Sequence, residues 1–190
     1  MDADDIRRIV ADSVALKERF FADEAPLLLQ VGRRMAESLL AGGRVLAFGN
    51  GGSAADAQHF AAELVVRFRA ERPGLSAIAL VTDPSVVTAI GNDMGFDALF
   101  RRQVEAHGRP GDVALAISTS GRSPNVVAGV CAARARGLVT VALTGNGGGE
   151  LADLVDHLID VPHHDTQRIQ EVHAMVLHLL CEIVEEAAPR

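Results

Sequence analysis

Residues 45–63, with the sequence VLAFGNGGSAADAQHFAAE, constrain the fold more than any other stretch. The first four residues are apolar and predict a buried strand, the glycines that follow break it, and a helix is predicted over residues 54–68. A strand, a tight turn and a helix in this order form the repeating unit of parallel sheets. The free N–H groups at the helix start attract anions, so the same stretch also predicts an anion site, with Ser53 as helix cap or ligand donor.

The same alternation continues along the chain. Further strands are predicted over residues 76–81, 113–117, 138–143 and 157–161, and helices over 85–91, 96–104, 124–136, 150–154 and 165–187. Two amphipathic helices, over 2–20 and 23–41, precede them, and Pro26 lies in the first turn of the second. The prediction is a single domain over 1–190: N-terminal helices in 1–42 for packing or oligomerisation, and an α/β core in 43–190. The core is a three-layer sandwich around a five-stranded, mainly parallel sheet, in which ligands bind at the carboxyl ends of the strands.

Composition excludes several functions. The net charge is −7 and no block of Lys and Arg is present, which argues against nucleic acid as a partner. No apolar run approaches the roughly 18 residues that span a bilayer, so no membrane association is expected. The acidic N-terminus lacks the apolar core of a signal peptide, and Cys131 and Cys181 lie in apolar helical contexts. These features predict a cytoplasmic protein with two reduced thiols.

The glycine turn alone does not identify a ligand. Gly49, Gly51 and Ala54 match the relaxed dinucleotide fingerprint, but the acidic residue expected about 20 positions later is missing, since Asp83 lies too far along. The chain also lacks the Gly-Lys-Ser/Thr ending of a nucleotide P-loop. A tight turn without any ligand therefore remains an alternative.

A cluster of hydroxyl side chains follows the third predicted strand. It consists of Ser118, Thr119, Ser120 and Ser123, at the start of the next helix. Hydroxyls together with free helix N–H groups suit the oxygens of a phosphate monoester. Because no fixed positive charge accompanies them, a small phosphate ester is favoured over a polyanion. The alternative is that Ser123 only caps the helix and the others are turn residues.

Titratable residues occur on two predicted helices. His59 and Glu63 are four residues apart and share one helix face, an arrangement found in metal sites and in acid–base pairs, but also in solvated ion pairs. The last helix is largely apolar and carries these polar residues: Asp165, Gln170, Glu171, His173 and His178. Buried polar groups need partners, so either a site or satisfied core residues are expected there.

The spacing of Gln170 and His178 has a consequence for assembly. Eight residues of helix separate them by about 12 Å along the axis and about 80° around it. Two such side chains barely meet at one ion if they belong to the same helix. If both join the His59–Glu63 centre, they do so more easily from different subunits, which predicts a site at an oligomer interface.

These motifs in combination resemble the phosphoheptose isomerases, a family of sugar-isomerase (SIS) domain enzymes. The resemblance rests on GNGGSAADAQHFAAEL, on STSGRSPN, on Asn92-Asp93 and on DTQRIQEVH with the later histidine, and it runs from about residue 5 to 187. It implies the SIS fold with a flavodoxin-like strand order. It also implies conversion of sedoheptulose 7-phosphate to D-glycero-D-manno-heptose 7-phosphate, for the heptose of lipopolysaccharide or other glycoconjugates. A homotetramer with active sites between subunits, and often one zinc per subunit, is implied as well.

The resemblance also assigns roles to individual positions. The residues implied to bind substrate are Asn50, Gly51, Gly52, Ser53, Glu63, Asn92, Asp93, Ser118, Thr119, Ser120, Ser123 and Gln170. The residues implied to bind zinc are His59, Glu63, Gln170 and His178. The implied acid–base pair is Glu63 and His178, which suits a reaction that moves a proton from C1 to C2 of a sugar.

Two departures and three alternatives remain. The chain has Arg122 where the family commonly has Asn, and residues 65–66 are Val-Val where the family often has Thr-Gly. Arg122 either contacts phosphate or points to solvent. The alternatives are a non-catalytic SIS protein that binds the bacterial replication initiator, an isomerase of another phosphosugar, and a phosphosugar-sensing regulator. The appended DNA-binding segment that a regulator needs is not found, and the set of titratable residues favours catalysis.

Overall fold

A computed structural model of the chain describes residues 1–188. Five strands are present: β1 (Val45–Gly49), β2 (Ala77–Ala79), β3 (Val113–Ile117), β4 (Val139–Gly145) and β5 (His157–Val161). The helices are α1 (Ala3–Leu40), α2 (Gly52–Val65), α3 (Pro84–Asp93), α4 (Leu99–His107), α5 (Pro124–Ala135) and α6 (Thr166–Ala187). Short 3₁₀ turns cover Phe96–Ala98 and Gly149–Asp153. No helix in this part of the chain is long and apolar enough to cross a membrane.

The sheet has the strand order β2-β1-β3-β4-β5, and every neighbouring pair is parallel. This confirms the predicted five-stranded parallel sheet and the flavodoxin-like order. Strands β1 and β3 are buried along their whole length, as expected for central strands with helices on both faces. Their carboxyl ends, at Gly49 and Ile117, are register partners, so the loops that follow them start side by side.

Side chains alternate between two apolar layers on either side of the sheet. Val45 and Ala47 of β1 pack with α1, α2 and α6, whereas Leu46 and Phe48 pack with α4 and α5. The period of two along the strand produces this division, and it confirms the predicted three-layer sandwich. The helices that carry the titratable residues, α2 and α6, therefore lie on one face, and α5 with its serine-rich start lies on the other.

The prediction of two N-terminal helices is wrong in one respect, because α1 is a single helix of 38 residues that includes Pro26. Proline removes one backbone hydrogen bond and crowds the preceding turn, which normally ends a helix. Here Leu16 and Phe20 before it and Leu28 and Val31 after it are buried in the same core. Packing on both sides of Pro26 holds the helix together and outweighs the local cost.

The helix predicted over 54–68 is shifted, because α2 begins at Gly52 and ends at Val65. The chain beyond it is held by one carboxylate: Glu185 accepts hydrogen bonds from the backbone N–H groups of Phe68, Arg69 and Ala70, and from Arg72 Nε. Local sequence did not indicate this capture, because Glu185 lies more than a hundred residues later. The predicted helix over 150–154 is a 3₁₀ turn, and β2 is shorter than predicted.

Candidate active site

The loops after β1 and β3 are joined side chain to side chain. Asn50, in the glycine turn after β1, and Asn125, in the first turn of α5, donate to each other's amide oxygens at 2.8 and 2.9 Å. Asn125 is buried, so the pair satisfies groups that would be costly to leave unbonded. The two predicted binding loops are therefore fixed relative to one another at the carboxyl edge of the sheet.

The N-termini of the helices fall into two groups. Helices α1, α3 and α6 begin with Asp2, Asp83 and Asp165, whose side chains accept backbone N–H groups of the first turn. Helices α2, α4 and α5 lack a side-chain cap; α4 continues directly from a 3₁₀ turn, whereas α2 and α5 follow loops and have Gly51 and Ser123 at their cap positions. The first turns of α2 and α5 keep free N–H groups and an uncompensated positive dipole end, which is what an anionic ligand requires.

Ser123 occupies the N-cap position of α5 without performing that role. Its hydroxyl lies 3.1 Å from the hydroxyl of Ser118. The alternative that Ser123 is merely a helix cap is therefore wrong. The prediction that Ser53 could cap α2 is also wrong, because the cap position is Gly51 and Ser53 is buried inside the first turn. The hydroxyls are thus not consumed by capping.

We call residues 118–123 the serine loop. Ser118 is buried, Ser120 accepts a hydrogen bond from the backbone N–H of Arg122 at 3.3 Å, and Thr119 is partly exposed. The Arg122 side chain is exposed, and no carboxylate of residues 1–188 forms a salt bridge with it. A free guanidinium at the rim of a hydroxyl loop adds the positive charge that the predicted phosphate site otherwise lacks.

Helices α2 and α6 lie side by side and run in the same direction. His59 Nε2 of α2 is 2.8 Å from His178 Nε2 of α6, although 119 residues separate them in the chain. Glu63 Oε1 lies 3.7 Å from His59 Nδ1, on the other side of the same ring. The side chains of His59 and Glu63 are 48% and 23% exposed. Both members of the predicted acid–base pair thus contact His59, from opposite sides of its ring; we call His59, Glu63 and His178 the helix cluster.

Gln170 does not join the helix cluster of its own chain. Its amide lies against the α carbon of Gly52, where an added Cβ would be 2.5 Å from the Gln170 Nε2. Gly52 is about 10 Å from His59 along α2 at ~1.5 Å per residue. The contact leaves Gln170 near the sugar-side loop rather than beside His59.

Asn92 and Asp93 end helix α3 on the surface. The Asn92 amide donates to the Asp93 carboxylate at 2.7 Å, and both residues are exposed. Among the hydrogen bonds of residues 1–188, none links either of them to another predicted site residue. Within one chain they are therefore not part of the helix cluster or of the serine loop.

The structure shows the surroundings of two titratable residues, Asp56 and His173, which their spacing in the sequence did not predict. Asp56 lies one turn before His59 and is half buried; burial raises the pKa of this carboxyl, and His59 opposes that shift. In the sequence, the spacing of three residues between Asp56 and His59 indicates that the two side chains share one helix face. His173 is fully buried, and burial lowers its pKa to about 4 despite its hydrogen bond to Thr144 and the nearby Asp160. His173 is thus a core histidine rather than a site residue.

The predicted zinc ligands were tested by their geometry. Two imidazole nitrogens and a carboxylate are a donor set typical of zinc. His59 Nε2 and His178 Nε2 are 2.8 Å apart, the distance of an ordinary N–H···N hydrogen bond between two neutral imidazoles, and the same two nitrogens are those a zinc ion would use. Tetrahedral zinc ligands lie about 3.3 Å apart, so a small opening would be needed. Within residues 1–188 of one chain, no three His, Cys, Asp or Glu side chains are arranged to hold a metal, and Gln170 lies elsewhere.

The fold and these loops define the class. The family model described as SIS domain matches residues 10–145, and the chain belongs to the SIS domain family. A phosphoheptose isomerase of Roseiflexus sp. (strain RS-1) is 55% identical over 173 residues, which cover 91% of this chain and 88% of that protein. Within the SIS group, the chain belongs to the phosphoheptose isomerase family.

Solved structures agree with this membership. The phosphoheptose isomerase of Neisseria gonorrhoeae superposes with a TM-score of 0.91 at 44% identity, covering 96% of this chain and 98% of that one. That of Francisella tularensis superposes with a TM-score of 0.94 at 37% identity, covering 98% of this chain and all of that one at 100%. The family and the fold implied by the sequence motifs are confirmed.

Proposed function

We propose that this protein is an aldose–ketose isomerase that converts sedoheptulose 7-phosphate to D-glycero-D-manno-heptose 7-phosphate. The observation that carries the proposal is the helix cluster, which places Glu63 and His178 beside His59 at one accessible point of a phosphoheptose isomerase fold. A carboxylate and an imidazole are the groups that most often exchange protons with carbon near neutral pH. A scaffold protein would have no need for this set.

The phosphate would bind at the serine loop. Its hydroxyl donors are Ser118, Thr119, Ser120 and Ser123, and the uncapped start of α5 adds a backbone N–H and a favourable dipole. The sugar would then extend toward the glycine turn after β1, where Asn50, Gly51, Gly52 and Ser53 lie, with Gln170 against that turn. Asn92 and Asp93, which lie on the surface at the end of α3, would contact the sugar bound by another subunit.

The reaction would move one proton between neighbouring carbons. Removing a proton from C1 of the ketose while its C2 carbonyl oxygen gains one forms an enediol; returning a proton to C2 while the C1 hydroxyl loses one forms the aldose. Glu63 and His178 would carry these protons, because both contact the exposed His59 ring and a carboxylate with an imidazole suits proton transfer to and from carbon. Positioned acid–base groups of this kind contribute about 10²–10⁴-fold in rate.

Zinc, one ion per subunit, is part of the proposal, with His59, Glu63, Gln170 and His178 as its ligands. When bound, the ion would polarise the sugar carbonyl. The convergence of two imidazole nitrogens supports such an ion, and Gln170 would have to come from a different subunit than His178. Metal content measured by atomic emission after purification with and without chelator tests this, and a metal-free enzyme with full turnover would contradict it.

A homotetramer with sites between subunits is the proposed assembly. Helix α1 carries an exposed apolar stripe of Ile6, Val10 and Val14, which are 54%, 55% and 48% exposed. Met94 and Phe96, next to Asn92-Asp93, are 53% and 56% exposed. Apolar surface of this kind is normally covered by a partner. Light scattering of the eluted protein measures the assembly, and a monomer with full activity would exclude shared sites.

The protein would act in the cytoplasm, in heptose synthesis for lipopolysaccharide or other glycoconjugates, and without nucleic acid as a partner. In the described part of the chain both cysteines are free thiols, Cys131 exposed and Cys181 buried. Free thiols suit a reducing compartment. Burial raises the pKa of the Cys181 thiol to about 12, so this residue is an inert part of the core.

The decisive experiment is incubation of the protein with sedoheptulose 7-phosphate and detection of the aldose product by NMR. Turnover of this ketose in preference to shorter phosphoketoses supports the proposal. Preferred turnover of another phosphosugar would leave an isomerase with a different substrate. No turnover of any of them, with or without added zinc, would contradict catalysis and favour the binding-protein alternative.

A further inference from the structure

A third loop supports the serine loop from behind. Residues 145–149 begin at the last residue of β4 and read Gly-Asn-Gly-Gly-Gly; we call them the glycine loop. The carbonyl of Gly148 fills the space where Gly121 would carry a Cβ, and a Cβ at Gly149 would lie 2.5 Å from the carbonyl oxygen of Ser120. Gly121 O also accepts a hydrogen bond from Leu151 N at 3.2 Å. The two loops touch backbone to backbone, so a shift of one displaces the other.

The glycine loop has an unusual backbone that needs external support. Asn146, Gly147, Gly148 and Gly149 are four consecutive residues with positive φ, at 55°, 85°, 75° and 55°. Without support such a run would be flexible, because glycine adopts positive and negative φ about equally readily. The Asp160 carboxylate holds it: one oxygen accepts from Gly147 N and the other from Thr144 Oγ1, both at 2.9 Å.

The same threonine is held from the other side by α6. His173 Nε2 lies 2.9 Å from the carbonyl oxygen of Thr144. A carbonyl only accepts, so Nε2 carries the proton of a neutral ring, in keeping with the lowered pKa of this buried histidine. Asp160, Thr144 and His173 therefore form a connected support that ends at the glycine loop.

At the opposite end of strands β4 and β5, Thr140 and Asp156 form a similar Thr–Asp pair that supports no loop. Asp156 accepts hydrogen bonds from Thr140 N and Thr140 Oγ1 at 2.8 Å, and its own N–H donates to Thr140 Oγ1 at 2.9 Å. Each member precedes its counterpart by four residues, about 13 Å along a strand. This pair makes more bonds than the Thr144–Asp160 pair, yet it lies at the edge of the sheet away from the loops.

We propose that Asp160, through Thr144 and Gly147, is a positioning residue for phosphate binding, because it holds the glycine loop against the serine loop. The inference rests on the proposed function only in taking the serine loop as the phosphate site. Asp160 itself does not touch the ligand. Its loss would let the glycine loop relax and would widen the arrangement of hydroxyls and N–H groups that the phosphate needs.

The test compares the two pairs in the complete protein. The variants Asp160→Ala and Thr144→Val remove the support, Asp156→Ala and Thr140→Val are the matched controls, and Thr144→Ser keeps the hydroxyl. Inorganic phosphate is titrated by calorimetry, and KM and kcat are measured with sedoheptulose 7-phosphate. For Asp160→Ala, which loses two hydrogen bonds, we expect about tenfold weaker phosphate binding and about tenfold higher KM. For Thr144→Val, which loses one, we expect about threefold changes, and kcat should stay within about twofold in both. Thr144→Ser should bind phosphate as the unmodified protein does.

A purely structural role would give a different result. The Asp156 and Thr140 variants would then lose as much phosphate affinity as the Asp160 and Thr144 variants, in proportion to their melting temperatures. That result, or unchanged phosphate affinity in both Thr144→Val and Asp160→Ala, would overturn the proposal. If Asp160→Ala does not fold, the nearly isosteric Thr144→Val decides alone.

Failure of the inference and failure of the proposed function are distinguishable. Phosphate binding that is lost in Ser118→Ala but kept in the Asp160 and Thr144 variants would reject only the positioning role. Phosphate binding that responds to Asp160 and Thr144 in a protein without isomerase turnover would support the positioning role and reject the proposed reaction.

Discussion

The helix cluster and the serine loop are built in opposite ways. The helix cluster consists of long side chains, His59, Glu63 and His178, that project from the middle of two helices and are partly exposed. The serine loop consists of short hydroxyl groups and backbone; the glycine loop packs against it, and the Gly121 carbonyl of the serine loop accepts a hydrogen bond from Leu151 N. Groups of the first kind suit proton transfer, and groups of the second kind suit binding of a fixed anion.

The difference follows from the elements that provide each region. Helices α2 and α6 pack through apolar residues on one face of the sheet, and this packing sets the distance between their titratable side chains. The serine loop belongs to the other face, where α5 begins without a side-chain cap. Changes in the helix cluster should therefore act mainly on kcat, and changes in the loops mainly on KM.

The largest effect is expected for Glu63→Gln. The substitution keeps the shape of the side chain and removes the group that exchanges protons, so kcat should fall by about 10³-fold with KM within about threefold. Steady-state kinetics measures both values. Glu71→Gln is the matched control, because Glu71 also pairs with a basic residue at four residues' spacing, Arg67, at 3.4 Å. Equal kcat values for Glu63→Gln and the unmodified protein would remove the chemical role of the helix cluster.

A second prediction concerns how the stability of the protein depends on pH through the buried His173 of α6. Burial lowers the pKa of His173 from 6.5 to about 4. Between these two pH values, His173 is protonated in the unfolded chain and neutral in the folded chain. The stabilisation that comes from keeping His173 neutral is complete above about pH 6.5. As the pH falls toward 4 it is lost, and the unfolding free energy decreases by about 3 kcal/mol. Urea unfolding at several pH values should show this loss.

The control for that prediction is a change at an exposed histidine. His164→Gln should keep the loss of stability between pH 6.5 and 4, because His164 is exposed, whereas His173→Gln should lack this part of it. If the pH dependence is the same in both variants, His173 is not its source.

A smaller effect is expected in the serine loop. Ser118→Ala removes a buried hydroxyl that contacts Ser123, and KM should rise about tenfold while kcat changes little. Ser85→Ala at the start of α3 is the control, since Asp83 caps that helix and no ligand is proposed there. A fall in kcat with unchanged KM would show that the two regions do not divide their work in this way.

The smallest effect is expected for Arg122→Gln. An exposed guanidinium contributes less than about 1 kcal/mol to an ion pair, so KM should rise about threefold. Because salt screens exposed charges, KM of the unmodified protein should rise with ionic strength more steeply than KM of the variant. Arg101→Gln on α4, an arginine paired with Glu105, should change neither value. An unchanged KM in Arg122→Gln would place this side chain in solvent.

The predictable part of the site consists of what each local segment carries. The hydroxyl cluster, the His59–Glu63 spacing and the uncommon glycine turn are visible in the order of residues. Whether Ser123 caps α5 was open, because a helix start with serine is compatible with capping and with a free hydroxyl. Its contact with Ser118 decides the matter. Helix α1 was wrongly divided between residues 20 and 23, because local propensity does not include the core that both halves share.

The sequence by itself determined the parallel sheet, its order of strands and helices, and the loops that carry polar residues. It could do so because apolar period and glycine breaks are local signals. Only the tertiary structure decided that His59 meets His178, that Gln170 lies against Gly52, and that Asp160 holds the glycine loop. These contacts join residues distant in the chain, and their register is set by side-chain packing between helices and strands, which no local pattern encodes.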